Sequence, residues 1–407
     1  MKTKIAVVGG GAAGMMFAAH ASAGGADVTV FERNPQLGRK LAITGKGRCN
    51  LTNLCPTDEL MASVVTNPRF MHSAFAAFTP ADLMEYIESL GVPLKVERGN
   101  RVFPVSDKAY DIIDALRSEM RRHGCRIVHQ RVEDVVVADG EVVGVVCDGN
   151  KHSFDKVVLA TGGLSYPRTG SDGDGLRIAA RLGVAVTPPS PALVPLEIKE
   201  NSPALLQGLS LRNVSLKMID EGEKTVFSDF GELIFAHYGV SGPLVLSASS
   251  HMKGDAKYTI SIDLKPALDR DTLDRRILSD FEKYRNRDFA NALSDLLPQK
   301  LAAIFPQICG IPATAKVNSV TAAQRGAMVD ALKDFRLTVT AKRPIDEAII
   351  TSGGVSVKEV NPKTMECKSI SGLYFIGEIL DVDALTGGFN LQIAFSTAVA
   401  AARSILE

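Results

Sequence analysis

A strand, a glycine turn and a helix near the start of the chain constrain its fold more than any other feature. Ile5–Val8 has the pattern of a short buried strand, and Gly9, Gly11 and Gly14 follow it at the first, third and sixth positions of G-x-G-x-x-G. The first glycine permits a tight turn, the second lets a pyrophosphate approach the backbone, and the third lets the helix pack closely on the strand. The pattern predicts an α/β, Rossmann-like domain whose first helix N-terminus faces the phosphates of a dinucleotide.

An acidic residue at the end of the second predicted strand supports the same interpretation. Val28–Glu32 has the pattern of that strand, and Glu32 lies eighteen residues after Gly14. A carboxylate at this point accepts hydrogen bonds from the ribose hydroxyls of an adenosine and repels the 2′-phosphate of NADP. We therefore expect NAD or FAD here. The alternative is a glycine-rich turn in a Rossmann-like domain that binds no nucleotide.

The segment that follows Glu32 favours FAD over NAD. The stretch GRKLAITGKGRCN, residues 38–50, holds three glycines and four cations. A bendable and positively charged segment suits a second contact with a long ligand, whereas a plain NAD dehydrogenase normally continues into another strand and helix. The alternative is a solvated basic loop.

Two glycine-rich segments farther along the chain complete the predicted FAD site. Gly372–Glu378 has the pattern of a strand that ends in a glycine and an acid, and Thr386–Gln392 leads into an apolar helix. Free N–H groups at that helix N-terminus suit the C2 carbonyl and N1 edge of a flavin, which gains negative charge on reduction. Lys156–Gly163 predicts another buried strand, ending in Thr-Gly-Gly. The alternative for the second segment is an ordinary helix-entry turn.

These segments supply the predicted site residues. The residues predicted to bind the cofactor are Gly9, Gly11, Ala12, Ala13, Gly14, Glu32, Arg33, Arg39, Lys40, Gly45, Gly47, Arg48, Cys49, Asn50, Thr161, Gly162, Gly377, Glu378, Asp383, Gly387, Gly388, Asn390, Leu391 and Gln392. The candidates to line the reaction cavity are Cys49, Tyr166, His237 and Tyr238. Cys49 is either a redox thiol or a packed thiol without a chemical role, and His237 is either an acid–base group or a structural histidine. The sequence identifies neither a catalytic base nor a metal site.

Composition limits the other possible functions. The chain has 407 residues, enough for two or three domains, and its 46 Lys and Arg balance 46 Asp and Glu. We therefore expect a small-molecule substrate and neither a nucleic acid nor a membrane as partner, while the oligomeric state stays open. The six cysteines form neither a C-x-x-C pair nor a zinc spacing, which indicates a cytoplasmic chain. The first residues resemble a signal peptide, but its cleavage would remove the glycine motif, so we expect no secretion.

Several longer motifs resemble one family of flavoproteins. The motifs are GKGRCNLTN at 45–53, GNRVFPVSDKA at 99–109, ATGGLSYPRTGSDGDG at 160–175, GELIFAHYGVSGP at 231–243, TSGGVSVKEV at 351–360 and YFIGEILDVDALTGGFNLQIAFS at 374–396. With them the chain resembles the BaiN-type flavoproteins, also described as the aminoacetone oxidase family of FAD-dependent oxidoreductases, over nearly its whole length. Asp172, Phe389 and Cys367 stand where that family usually has Thr, Tyr and Ser.

The resemblance implies an FAD domain of the glutathione-reductase type, split around an insert, and the sequence agrees. Ser210–Met218 alternates as a strand does, and from Thr272 to about Phe335 the apolar spacing becomes helical. The predicted parts are residues 1–190 for the first part of the FAD domain, 191–265 for a small β-barrel, 266–343 for a helical part, and 344–407 for the second part of the FAD domain.

A flavin beside a cavity leaves two kinds of reaction open. In the first, NADH or NADPH reduces FAD, and the reduced flavin then reduces a small organic substrate such as an enone. In the second, a small amine or amino-ketone reduces FAD and O2 reoxidises it, which releases peroxide. Because the sequence holds one G-x-G-x-x-G with its acid, the nicotinamide would dock transiently. Flavin-dependent RNA modification and a non-catalytic FAD carrier are more distant alternatives.

Overall fold

The chain folds into two units, each with its own hydrophobic core. The computed structural model describes residues 2–254 and 256–407. The first unit joins Met1–Ala192 to Ile345–Glu407, and the second is the intervening segment Leu193–Pro344.

The strands range in length from the two residues of β3 to the twelve residues of β14. In chain order they are β1 Lys4–Val8, β2 Asp27–Phe31, β3 Thr52–Asn53, β4 Leu94–Glu97, β5 Arg101–Pro104, β6 Arg126–Val128, β7 Val132–Ala138, β8 Glu141–Cys147, β9 Asn150–Ser153, β10 Lys156–Leu159, β11 Val186–Ala192, β12 Leu196–Ile198, β13 Ser210–Asp220, β14 Thr225–Ala236, β15 Gly239–Ser241, β16 Tyr258–Asp263, β17 Phe335–Lys342, β18 Ile350–Val355 and β19 Leu373–Phe375.

Helices of very different length connect these strands. In chain order they are α1 Ala12–Ala23, α2 Arg39–Ile43, α3 Thr57–Ala62, α4 His72–Ala77, α5 Pro80–Ser89, α6 Ala109–Arg122, α7 Asp174–Arg181, α8 Ser202–Leu205, α9 Pro243–Ser249, α10 Arg270–Lys283, α11 Phe289–Ala292, α12 Gln299–Cys309, α13 Ala322–Lys333 and α14 Phe389–Leu406. Single 3₁₀ turns occur at Thr44–Gly47, Pro68–Met71, Pro167–Thr169, Val317–Ser319, Ile345–Glu347, Val357–Glu359 and Gly377–Ile379.

A parallel sheet forms the centre of the first unit, with strand order β19–β10–β1–β2–β6. Its strands are short apolar runs, the composition typical of a sheet whose two faces are both covered. Strand β1 is central, and the chain leaves it toward β2 on one side while β10 pairs with it on the other. In open α/β sheets this reversal of strand order marks the crevice where ligands bind, at the carboxyl ends of the strands.

Helices α1 and α14 pack against each other in this unit. Both consist largely of small and apolar residues, which allow close approach: Met15, Met16 and Phe17 of α1 have no exposed surface. The sequence predicted the second helix from about Leu391, and the structure begins it at Phe389. The glycine turn and the Thr386–Gly388 loop therefore precede two helices that are neighbours.

Smaller sheets complete the first unit. Strands β3, β5 and β4 form one antiparallel sheet, β7, β8 and β9 form a second, and β11 pairs with β18. The last pairing joins the two chain segments that flank the insert.

The second unit is a closed barrel with helices. The barrel order is β12–β15–β14–β13–β16–β17, and β17 closes it by pairing with both β16 and β12. Helices α10 to α13 lie between β16 and β17 in the chain. Strand β17 lies inside the range predicted to be helical, and it is a strand because Phe335, Leu337 and Val339 alternate inward with period two.

Within residues 2–254 and 256–407, α14 is the one helix long and apolar enough to cross a membrane by length and composition. The same properties fit a core helix, and 67% of its most apolar stretch is buried inside the protein.

Candidate functional site

A deep cleft opens at the carboxyl ends of the parallel strands in the first unit. It encloses about 1310 Å³ not filled by protein atoms, measured out to its open mouth. Its lining extends from Glu32, after β2, to Glu378, after β19, so the cleft suits a long molecule. The predicted site residues that line it are Gly9, Gly11, Ala12, Ala13, Glu32, Arg33, Arg39, Lys40, Thr161, Gly162, Glu378, Asn390 and Leu391.

The glycines of the first turn have three different surroundings. Gly9 has φ +106°, and a Cβ there would lie 2.6 Å from the Ala160 carbonyl oxygen. A Cβ on Gly14 would overlap the Gly9 carbonyl oxygen, because α1 lies directly against the turn. At Gly11, in contrast, a Cβ would meet nothing within 4 Å among the described residues. Gly9 and Gly14 thus shape the turn, while Gly11 leaves open space at the helix N-terminus.

This open space and the unpaired N–H groups beside it fit the pyrophosphate of FAD. Helix α1 begins after Gly11 without a side-chain cap from any described residue, so its first N–H groups point into the cleft. A helix N-terminus binds phosphate readily, because its free N–H groups and its dipole favour a negative charge.

Glu32 lies directly after β2 and is 9% exposed. One carboxylate oxygen accepts the Gly10 N–H at 2.9 Å, and the other accepts the backbone and side-chain N–H groups of Asn34 at 2.8 and 2.7 Å. An ionised carboxylate has about four acceptor positions, so Glu32 is oriented by the protein and keeps acceptor capacity for ribose hydroxyls.

A charged cluster borders the cleft near Glu32. Arg33 donates to Asp172 at 2.6 Å, to Asp174 at 3.1 Å and to the Gly170 carbonyl oxygen at 2.5 Å. Burial opposes ionisation of Asp172, but the hydrogen bond and charge of Arg33 outweigh it and hold the carboxyl pKa below its usual value. Arg33 is therefore held in the wall of the cleft by these acids, which neutralise its positive charge.

A second charged cluster lies at the other end of the cleft. Lys40 Nζ lies 2.6 Å from Glu378 Oε2 and 2.6 Å from Ser165 Oγ, and Ser165 Oγ donates to Glu378 Oε1 at 2.8 Å. The backbone N–H of Thr351 also donates to Glu378 Oε1, at 3.0 Å. Both Lys40 and Glu378 line the cleft.

The segment that ends at Asn53 and the segment Thr386–Gln392 meet behind the cleft. Asn53 Nδ2 donates to the carbonyl oxygens of Gly99 and Gly387, and Thr52 Oγ1 donates to Gln392 Oε1 at 2.6 Å. A Cβ on Gly388 would lie 2.5 Å from the backbone of Thr52. The N-terminal and C-terminal parts of the unit are thus in direct contact here.

Several predicted cofactor residues do not line the cleft within the described part of the chain. These residues are Gly14, Gly45, Gly47, Arg48, Cys49, Asn50, Gly377, Asp383, Gly387, Gly388 and Gln392. Gln392 is fully buried and also donates to the Phe78 carbonyl oxygen. Arg48 instead forms ion pairs with Glu97 and Asp107 and covers the Phe103 ring, with its Cζ 4.2 Å from the ring centroid.

The four candidates for the reaction cavity lie in different places. Cys49 is fully buried, and burial raises the pKa of its thiol to about 12, so the thiol is protonated at neutral pH. Tyr166 has φ +52° and lies beside the Lys40 cluster, with its ring centroid 5.8 Å from Lys40 Nζ. His237 and Tyr238 lie in the second unit, at the turn between β14 and β15, with ring centroids 4.9 Å apart.

The cleft also has walls that the sequence did not predict. These residues include Thr44, Gln130, Arg131, Val132, Ile349 and Ile350. Gln130–Val132 follow β6, which pairs with β2 at the same sheet edge. Recognition of β6 as a further parallel strand would have identified them, because ligands bind beyond the carboxyl ends of such strands.

Known proteins share this architecture over the whole chain. The 3-ketosteroid Δ1-dehydrogenase of Sterolibacterium denitrificans superposes with a TM-score of 0.52 at 14% identity, covering 100% of this chain and 99% of that one. The 3-ketosteroid Δ4-(5α)-dehydrogenase of Rhodococcus jostii gives a TM-score of 0.50 at 16% identity, covering 100% and 97%.

Curated relatives are closer in sequence. The chain is 31% identical to the 3-dehydro-bile acid Δ(4,6)-reductase of Clostridium scindens, over 99% of both chains. It is 33% identical to the ribosomal RNA dihydrouridine synthase of Escherichia coli, over 98% of this chain and 97% of the relative.

The full-length relatives and the family define the class: the protein is an FAD-dependent oxidoreductase with a Rossmann domain. The family model described as HI0933-like protein Rossmann domain matches residues 3–404, and the chain belongs to that family. The sequence-based predictions of the fold class, of an enzyme and of FAD are confirmed.

Proposed function

We propose that the protein reduces a carbon–carbon double bond conjugated with a carbonyl group, with electrons that NADH or NADPH delivers through FAD. The observation that carries this proposal is the pair of full-length relatives, which are named for different substrates. A 3-dehydro bile acid with 4,6 double bonds is a conjugated ketone. Dihydrouridine is uridine with two hydrogens added to the double bond conjugated with its C4 carbonyl. The two substrates share the bond and little else.

The residues of the cleft suit this chemistry. The chemistry that bound FAD supplies is transfer of two electrons. The N–H groups at the start of α1 would bind the pyrophosphate, and Glu32 would bind the adenosine ribose. Apolar side chains such as Ile349 and Ile350 form part of the cleft wall. Since the sequence holds one glycine motif with its acid, NADH or NADPH would dock transiently.

Anaerobic stopped-flow mixing tests the donor and the acceptor separately. We expect NADH or NADPH to bleach the oxidised flavin band, and a conjugated enone to restore it while a saturated ketone of the same skeleton does not. Aerobic turnover with aminoacetone and release of peroxide, without bleaching by either nicotinamide, would instead support the oxidase. Tight flavin with no turnover from any donor would contradict both.

The substrate has two candidates, a small enone and a uridine within RNA. One observation favours RNA despite the zero net charge. On the outer face of the β3–β5–β4 sheet, Lys95 and Arg101 lie on the same side as Phe103, which Arg48 covers. Glu97 lies on the same face opposite Arg101, and Glu97 and Asp107 form ion pairs with Arg48 and Lys95. Three more cations, Lys46, Arg98 and Lys108, are close to these residues in the sequence. A local excess of cations of this kind binds a phosphate backbone.

Asn53 joins the β4–β5 turn at Gly99 to Gly387, in the loop that precedes α14. RNA binding at several salt concentrations tests its role. The double variant Arg98→Glu/Arg101→Glu should weaken binding of a ribosomal RNA fragment and reduce the salt slope by about two. The exposed Lys363→Glu is the matched control. Equal binding by both variants, with turnover of a free enone, would favour the small substrate.

A further inference from the structure

The Lys40, Ser165 and Glu378 side chains form a closed ring of hydrogen bonds on the wall of the cleft. Each of the three contacts the other two at 2.6–2.8 Å. Ser165 has no exposed surface, and the side chains of Lys40 and Glu378 are 22% and 15% exposed. This ion pair is therefore largely removed from water. Two charges in such a place interact more strongly than two charges at the protein surface.

The ring joins segments that are far apart in the chain. Lys40 belongs to α2, Ser165 to the loop after β10, and Glu378 to the turn after β19. Thr351 of β18 adds two contacts, since its N–H donates to Glu378 and its hydroxyl accepts the Ser165 N–H at 3.0 Å. A partly buried ion pair is weak evidence for stability, because desolvation offsets much of the attraction. Because the pair lies on the wall of the cofactor cleft, we expect it to have a role other than stabilising the fold.

The sheet order indicates which end of FAD lies near this pair. Glu32 follows β2 and Glu378 follows β19, on opposite sides of β1 and its glycine turn. At about 4.8 Å per strand, the two acids are separated by three strand spacings, or about 14 Å. With the adenosine at Glu32 and the pyrophosphate at Gly11, the isoalloxazine falls on the side of Glu378.

We propose that the Lys40–Glu378 pair sets the reduction potential of the bound flavin, with Ser165 holding the two charges in place. Uptake of a hydride, two electrons and one proton, leaves the flavin ring with one more negative charge than the oxidised ring. The ammonium of Lys40 favours that charge and the carboxylate of Glu378 opposes it. Lys40 therefore raises the reduction potential of the flavin and Glu378 lowers it, and the potential depends on the balance between the two charges. The inference depends on FAD alone and on neither the donor nor the substrate proposed above.

Single and double substitutions separate the two effects. Lys40→Met leaves the carboxylate uncompensated and should lower the flavin midpoint potential, whereas Glu378→Gln leaves the ammonium and should raise it. Each shift should correspond to at least tenfold in the ratio of reduced to oxidised flavin, which for two electrons is about 30 mV. Lys40→Met/Glu378→Gln should return toward the wild-type potential, and Lys40→Arg, which keeps the charge, should stay close to it.

The measurement is anaerobic spectroscopic titration of the FAD-loaded protein against reference dyes, with circular dichroism to verify folding. Lys316→Met is the control, because it breaks a surface ion pair with Asp288 in the second unit and should leave the potential unchanged. Shifts of both single variants in the same direction, or shifts no larger than the control, would overturn the proposal. If Lys40→Met retains no FAD, the nearly isosteric Glu378→Gln decides: a rise supports the proposal and an unchanged potential overturns it.

Discussion

Replacement of Gly11 by alanine should weaken FAD binding while leaving the fold intact. Gly11 has φ −78° and ψ −168°, a conformation that any residue adopts. A Cβ there would meet no described atom within 4 Å, so the methyl group would enter only the open space of the cleft. That space lies at the uncapped N-terminus of α1, where a phosphate must come within hydrogen-bond distance of the backbone.

The magnitude follows from the contacts at risk. A hydrogen bond between a backbone N–H and a charged group contributes about 1.5–3 kcal/mol, and a methyl group that holds the phosphate away removes at least one. At about 1.4 kcal/mol per tenfold, the Kd for FAD should rise about 12- to 140-fold. The free energy of unfolding of the apoprotein should change by less than about 0.5 kcal/mol, since nothing is displaced.

Gly14→Ala is the matched control, the same added methyl group three residues later. Its Cβ would overlap the Gly9 carbonyl oxygen, and such overpacking costs about 1–3 kcal/mol of folding free energy. Flavin fluorescence titration gives the Kd, and urea unfolding of both apoproteins gives the stabilities. Wild-type affinity in Gly11→Ala would refute the position of the phosphates, and equal destabilisation by the two substitutions would refute the open space.

Three other predictions concern buried groups. Burial raises the pKa of the Cys49 thiol to about 12, and a hydrogen bond from Thr44 opposes this shift more weakly. Iodoacetamide at pH 8 should therefore label Cys49 in urea and not in the native protein, which peptide mass spectrometry would detect. Burial lowers the pKa of His20 from 6.5, so the unfolded chain takes up its proton first and the free energy of unfolding falls as pH drops below about 6.5. His20→Leu should reduce that fall in urea titrations, and an unchanged pH dependence would argue against it. Gln392→Leu should cost about 1–3 kcal/mol by the same method, since it leaves the buried Thr52 hydroxyl without its acceptor, while the Phe78 carbonyl oxygen keeps the Ser396 hydroxyl as a donor; a loss below about 0.5 kcal/mol would contradict this.

The first βαβ unit was predictable because its determinants are local. The turn at Gly9, the close packing at Gly14 and the position of Glu32 after β2 each depend on residues within one short stretch of chain. Apolar runs indicated the parallel strands β1, β2, β10 and β19 for the same reason, and helix α14 was evident from its composition.

Partners that come from distant segments were not predictable. Arg48 was expected at the cofactor, yet its charge is balanced by Glu97 and Asp107, which reach it only through the pairing of β4 with β5. The cleft wall at Gln130–Val132 depends on β6 joining the sheet beside β2. Strand β17 was predicted as part of a helical range. The alternation of its apolar residues indicates a strand only when the barrel that β17 closes is known.

The ion pair between Lys40 and Glu378 also has a consequence for biosynthesis. These residues are 338 positions apart. At about 5–20 residues per second, a ribosome needs about 17–70 s to progress from one to the other. The glycine turn emerges early, but throughout that interval the nascent chain lacks the far wall of its own ligand site. Binding of FAD is therefore a late event, after translation has passed α14, and a prematurely terminated chain would be released without bound flavin.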